Sequence, residues 1–446
     1  MQGAIDYVLR TVEERKVAFV QLWFTDVLGT SKTFSITPAE LPDALEFGMS
    51  FDGSVIDGFS RVSESDMIAK PVPETFQVLP WLDSGEPVAR VFCDIITYDK
   101  LPFDGDPRFV LRRSLDRAAD MGFSFFVAPE IEFFYFKRDD VYGTSSIRAT
   151  PLDGATYFDL EPCSTVSNLR KRTVLALEDI GIPVEYNQHE DAPSQHEIDL
   201  RYTDALTMAD NVMTTRAVVK EIAAAAGVHA TFMPKPVAGV QGSGMHTYVS
   251  LFRDNQNAFY DANDADNLSD TAKRFVAGVL HHAPEMAAIT NQWVNSYKRL
   301  VPGHEAPIYR AWSRNNGSAI VNVPHTRRAE STRIEYRAPD PATNPYLCFA
   351  AILSAGLKGV EEGYELPPIT DVNLYALSRA ELASQHRLVL PSSLDAAIDE
   401  LEGSELMAQT LGNHVFDWLI RNKREEWAAY ESEVTQHELD RYLPRI

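Results

Sequence analysis

The sequence predicts an α+β fold built around one curved, mostly antiparallel sheet. Three observations lead there. Segments that alternate apolar and polar residues, as half-buried strands do, are interleaved with helix pairs. Hydrophobic residues make up 45% of the 446-residue chain, enough for a sizeable core. Charged residues make up 24%, a globular proportion that excludes wholesale disorder. A Pro/Gly/Asp-rich stretch, DKLPFDGDPRF at 99–109, divides the chain into a first part at 1–100 and a second at 107–446.

The elements follow in order. AIDYVLRTVEERK at 4–16 has helical period, and VAFVQLWFTDV at 17–27 reads as a strand. A glycine turn leads to a second strand, SKTFSIT at 31–37, and then to a proline-initiated helix at 38–48. EPVARVFCDIITYD at 86–99 closes the first part as a strand. In the second part, amphipathic helices are expected at 107–121, 167–181 and 203–227. Four strands stand out there: 123–136, 195–202, 245–252 and 332–339. The segment from 390 to 446 is helical and acidic.

Charge and cysteine content narrow the function. Lys and Arg number 41 against 64 Asp and Glu, a net charge of −23 that argues against a general binder of nucleic acid or anionic membrane. The cysteines Cys93, Cys163 and Cys348 are scattered, with no CxxC, which points to a reducing cytoplasm and no structural zinc. No secretory h-region and no membrane span are read. GxxxxGK[ST] is absent and no convincing GxGxxG occurs, so a P-loop or Rossmann site is not supported.

Carboxylates carry the chemistry. PEIEFF puts Glu130 and Glu132 on one side of an apolar strand, where a buried pair demands a cation or partners. A solvent-facing polar row on an edge strand is the alternative. QHEDAPSQHEIDLRY brings Glu190, a turn, and then Glu197, Asp199 and Arg201 on one strand face. His189 and His196 read as packing or supporting residues. TRIEYRAPD sets Arg333, Glu335 and Arg337 on one face, which fits either a site for metal and anions or a cross-strand ion-pair ladder. GSGMHTYVS at 242–250 runs from a glycine turn into a strand that aligns His246, Tyr248 and Ser250. Five glutamates and one histidine favour Mg²⁺ or Mn²⁺ over Zn²⁺. Hard ions beside arginines suit phosphoryl transfer.

Taken together, MSFDGSVIDGFSRVSESDM, PEIEFF, QHEDAPSQHEIDLRY, TFMPKPVAGVQGSGMHTYVS, NSYKRLVPGHEAP and TRIEYRAPDPATNPYL resemble the glutamine synthetase family, type I, in the family's order. The moderate length resembles the alpha subtype, and the family includes γ-glutamyl-amine ligases. The resemblance implies an N-terminal β-grasp domain, a larger catalytic domain, and a homo-dodecamer of two hexameric rings with active sites between ring neighbours. It implies that Glu132, Glu190 and Glu197 hold one metal ion and that Glu130, His246 and Glu335 hold a second. Arg299, Arg337 and the backbone at Gly242 match the glutamate site. Glu185, Tyr202, Ser250 and Arg333 match ATP-side positions. Glu305 matches the flap glutamate, and Asp52 matches the aspartate that a neighbouring subunit supplies to deprotonate ammonium. The implied reaction phosphorylates the γ-carboxylate of glutamate with ATP and then admits ammonia.

Three positions depart from the family pattern. Tyr248 stands for a second histidine near the phosphates, and Gly317 in RNNGSA and Asn322 in AIVNVP each stand for an arginine. Gln241 and Val55 are smaller departures. Each lost charge-assisted bond to phosphate is worth roughly 1.5–3 kcal/mol. Arg310, Arg314, Arg327 and Arg328 lie close enough in sequence to compensate. The departures open two further readings, a ligase for a polyamine or other small amine, and a non-catalytic homologue binding metal or nucleotide. The six retained ligand positions argue against the latter. Tyr375 resembles a region adenylylated in some type I enzymes, and no such modification is expected.

Overall fold

The computed structural model describes residues 2–56, 66–81, 85–138, 149–160, 165–303, 306–326, 328–377, 381–382 and 389–446. The helix Gln2–Glu14 buries Val8 and Val12 against the first sheet's core. That sheet contains β1 (Phe19–Thr25), β2 (Ser31–Ile36), β3 (Met49–Asp52), β4 (Asp66–Pro71), β5 (Gln77–Val78) and β6 (Val88–Ile96). Its order is β2-β1-β6-β4-β3, with β5 on β6. β1 and β6 run parallel side by side, and the other pairs are antiparallel. This is the expected β-grasp arrangement. β3, β4 and β5 were not anticipated; they are short, and Gly48, Gly53, Pro71 and Pro73 interrupt any alternation. The expected helix at 38–48 is a 3₁₀ turn, Pro38–Glu40, followed by the helix Leu41–Phe47.

The second sheet has ten strands: β7 (Ser124–Lys137), β8 (Val184–His189), β9 (Gln195–Leu200), β10 (Thr203–Asp204), β11 (Val228–Thr231), β12 (Met245–Arg253), β13 (Gln256–Asn257), β14 (Tyr309–Ser313), β15 (Ala319–Asn322) and β16 (Ile334–Tyr336). The main path is β14-β15-β16-β12-β7-β9-β8, and only β14–β15 is parallel. β7 is the hub. It pairs with β12 on one edge and β9 on the other, with β10 and β11 beyond. The strand expected at 332–339 is shorter than anticipated, because Pro339 ends the ladder and Arg333 precedes it.

Helices pack around this sheet. Pro107–Asp120 starts on a capping Asp106 whose side chain accepts from Arg108 N, and Ala205–Ala225 starts on Asp204, which accepts from Thr207 N. Asp270–Thr290 and Pro345–Glu362 bury most of their residues, and neither was expected from the sequence. They meet through Gly278 and Gly359. A Cβ on Gly278 would lie 2.2 Å from the Ala355 carbonyl oxygen, and one on Gly359 would lie 2.2 Å from that of Arg274. Leu394–Glu402, Glu405–Glu431 and Gln436–Tyr442 form the helical C-terminal segment.

Polar ties join the first sheet to the helices around the second. Asn344 caps Pro345–Glu362 through its Oδ1 and donates its amide to the carbonyls of Asp26 (3.0 Å) and Val27 (3.1 Å) after β1. Arg108 grips Asp210 with two nitrogens, at 3.1 and 3.0 Å, and also pairs with Asp94 on β6. Among the described residues, no helix is long and apolar enough to cross a membrane.

Candidate active site

The strand register lines up the acidic residues in rows. Across β8, β9, β7 and β12, Tyr186, Asp199, Glu130 and His246 stand opposite one another. One row along, Gln188, Glu197 and Glu132 do the same. On the other side, Tyr248, Glu335 and Asn322 pair across β12, β16 and β15. Side chains two apart share a face, and residues of all three rows line one cavity of about 290 Å³, Asp199 and Asn322 standing behind it. Glu130, Glu132, Glu190, Glu197, His246 and Glu335 all line it, with Gly242, Arg299 and Arg337. The solvent-facing alternative for Glu130 and Glu132 is excluded by their place in the central strand.

The glycine turn is shaped by contact. A Cβ on Gly242 would lie 2.3 Å from the Pro234 carbonyl oxygen. One on Gly244 would lie 2.5 Å from an Arg299 nitrogen and 3.1 Å from His246 Nε2. The Gly244 N–H instead donates to Glu132 Oε2 at 2.9 Å. Arg299 is fully buried and donates to the carbonyls of Ala338 (2.8 Å), Pro339 (3.3 Å) and Arg337 (3.3 Å).

Electrostatically the cavity is short of positive charge. Burial, and then neighbouring carboxylates, push Glu132 and Glu197 well above the usual range. Burial and Glu130 raise Asp199 to about 8. Burial, then the nearby Arg337, drive His246 down to about 3, so its imidazole is neutral at neutral pH.

A smaller cavity of about 80 Å³ adjoins this one, with Tyr248 lining both. It gathers all four residues of the predicted ATP side: Glu185, Tyr202, Ser250 and Arg333. Ser250 Oγ donates to the Thr332 carbonyl at 3.0 Å. Arg333 lies 4.5 Å over the Tyr248 ring, a cation–π contact. Asp52 sits apart on β3, where its carboxylate accepts from Ser54 N at 3.1 Å, and it lines neither cavity. Glu305 lies outside the described residues. A larger cavity, about 810 Å³ beside Trp293 and Tyr430, collects none of the predicted site residues.

Residues 104–442 match the family model of the glutamine synthetase catalytic domain, and residues 16–98 match that of its β-grasp domain. The chain belongs to the glutamine synthetase family. It is 53% identical to a protein named glutamine synthetase from Mycolicibacterium smegmatis, over 98% of both chains. Identity to one of that name from Thermotoga maritima is 45%, over 98% of this chain and 99% of the relative. A solved structure, the GmaS/ADP complex, superposes with a TM-score of 0.88 at 32% identity, over 98% of this chain and 99% of the other.

Membership of the glutamine synthetase family raises the question of divalent ions, and the donor set fits them. Donor atoms of Glu130, His246 and Glu335 all lie within 4.8 Å of one another, with both carboxylates on the Nδ1 side of the imidazole. These three side chains would hold one hard divalent ion. The other carboxylates are held by amides that sequence reasoning missed. Gln188 Nε2 donates to Glu190 (2.7 Å) and Glu197 (2.9 Å), and Gln195 Nε2 donates to Glu132 (2.8 Å). Counting face-sharing residues two before Glu190 and two before Glu197 would have found both. Tyr157 and Tyr186 also line the cavity and carried no motif signal.

The expected compensating arginines are corrected by the structure. Arg310 is spent on the carbonyls of Leu280 (2.8 Å) and His281 (2.7 Å), and Arg314 pairs with Asp266 at 3.1 Å. Neither lines the two cavities. Arg328 is exposed, and Arg327 lies outside the described residues.

Proposed function

We propose that this protein joins ammonia to the γ-carboxylate of glutamate at the expense of ATP, through a γ-glutamyl phosphate. The observation that carries this is its 53% identity, over 98% of both chains, to a protein named glutamine synthetase. In this reading Glu132, Glu190 and Glu197 hold one Mg²⁺ or Mn²⁺ ion, and Glu130, His246 and Glu335 hold another. Bound there, the ions neutralise charge on the phosphate oxygens. Glu185, Tyr202, Ser250 and Arg333 bind the nucleotide. Arg299 and the Gly242 backbone orient glutamate so that a γ-carboxylate oxygen attacks the terminal phosphorus of ATP, releasing ADP. Arg337 stabilises charge on the transferring group. Ammonia then attacks the acyl carbon and phosphate leaves. Asp52 of a neighbouring copy takes a proton from ammonium, and Glu305 closes over the site and takes one from the adduct. The reading includes a dodecamer of two hexameric rings in the cytoplasm. The buried, unpaired thiols of Cys93 and Cys348 are consistent with a reducing compartment.

Phosphate release from ATP, glutamate and Mg²⁺ tests this. Ammonium-dependent release with stoichiometric glutamine is the expected result, and none with ammonium would overturn it. Tyr248, Gly317 and Asn322 favour one second reading, a γ-glutamyl ligase for a small primary amine. Turnover with an amine and none with ammonium selects that reading.

A further inference from the structure

We propose that Tyr248 and Asn322 are positioning residues that hold Glu130 and Glu335 in place around His246, so that the three side chains are preorganised for one divalent ion. The inference rests on the reading above only in taking these three as an ion site.

The observations concern both carboxylates. Tyr248 on β12 and Glu130 on the paired strand β7 line the same cavity, where the phenol interacts with the Glu130 carboxylate, and the Arg333 guanidinium lies 4.5 Å over the Tyr248 ring. Asn322 stands opposite Glu335 in the ladder and donates Nδ2 to Glu335 Oε2 at 2.7 Å. Arg337 Nε lies 3.1 Å from the other oxygen, Oε1. The rotation of the Glu335 carboxylate is thereby fixed from both ends. His246 Nδ1 lies 3.1 Å from Glu130 and 3.5 Å from Glu335. Two carboxylates drawn this close to one ring nitrogen repel each other, and without outside donors they would splay.

The type of donor matters as much as its place. A phenol and an amide satisfy carboxylate oxygens without cancelling their charge. A guanidinium at either position would also orient them, but would compete with the ion electrostatically. Gly317 extends the same logic to Arg337, since its carbonyl accepts from Arg337 Nη1 at 2.9 Å. A Cβ at 317 would stand 3.4 Å from that nitrogen, an ordinary contact, so the structure gives no reason for glycine there. Tyr248 and Asn322 therefore act on the ion set rather than reaching for phosphate themselves.

Mn²⁺ binding to the full-length protein without substrates, followed by electron paramagnetic resonance of free Mn²⁺, tests the proposal. Tyr248→Phe and Asn322→Leu should each weaken one of two binding classes by about 10-fold or more and leave the other unchanged. Asn322→His, which keeps an N–H donor at similar reach, should restore most of the affinity, and Asn322→Arg should not. If Asn322→Leu does not fold, the contrast between the His and Arg variants decides. Unchanged Mn²⁺ affinity in folded Tyr248→Phe and Asn322→Arg proteins would overturn the proposal. Wild-type protein that binds Mn²⁺ in two classes but ligates neither ammonia nor an amine would overturn the ligase reading alone.

Discussion

At the scale of single residues, the cavity's chemistry follows from crowding. Glu335 has both oxygens engaged by Asn322 and Arg337, so Glu335→Ala should remove a ligand and free a cation together. Metal content by mass spectrometry and nucleotide affinity by calorimetry should both fall. Wild-type values for both would show that β16 does not belong to the ion site. The raised carboxyls give a pH prediction with a definite sign. A carboxyl whose pKa is higher folded than unfolded takes up a proton on folding. Its stabilising contribution is full at acid pH and is lost as pH rises through the folded value, about 8 for Asp199. An ion held by Glu132 and Glu197, which burial also raises, must displace their protons, so the gain in melting temperature on adding Mn²⁺ should be larger at about pH 8.5 than at about pH 6. An equal or smaller gain at the higher pH would count against the crowded-carboxylate account. Much of this was legible in the sequence, because Glu130 and Glu132, Arg333 and Arg337, and His246 and Tyr248 all obey strand alternation. What Tyr248 and Asn322 touch was not, since those contacts cross from one strand to another and depend on register.

At the scale of elements, the helices Pro107–Asp120, Thr165–Asp179 and Ala205–Ala225 lie within two residues of their expected bounds. Asp270–Thr290 and Pro345–Glu362, with most of their residues buried, were not read from the sequence. β8, β14 and β15, toward the two ends of the sheet, were not expected. The two buried helices make the clearest element-level prediction. Gly278→Ala would drive a methyl into the Ala355 carbonyl, and the helices must separate to admit it. We expect a loss of about 1–3 kcal/mol, read as a lower denaturant midpoint at unchanged slope. Gly3→Ala, with no atom within 4 Å of the added carbon, should be near neutral and serves as the control.

At the scale of the whole molecule, the proposed active site is incomplete within one chain, since Asp52 sits on the first sheet, away from both cavities. If neighbouring copies complete each other's sites, mixing should restore activity that neither variant has. Asp52→Asn and Glu335→Ala subunits, co-expressed, should recover up to about a quarter of wild-type turnover, since about one junction in four pairs an intact Asp52 with an intact Glu335. No recovery from verified hybrids would mean that sites are not shared. Sequence alone could suggest this arrangement only through resemblance, because nothing in the alternation of one chain encodes the position of another.

The grip of Arg299 on the carbonyls of residues 337–339 has a consequence of its own. It fastens one cationic anchor of the cavity to the backbone that carries the other, Arg337, so the two move as a single jaw. The gap between them is then a fixed gauge. In the proposed reaction, glutamate and the group transferred to it are therefore met by two parts of one rigid piece.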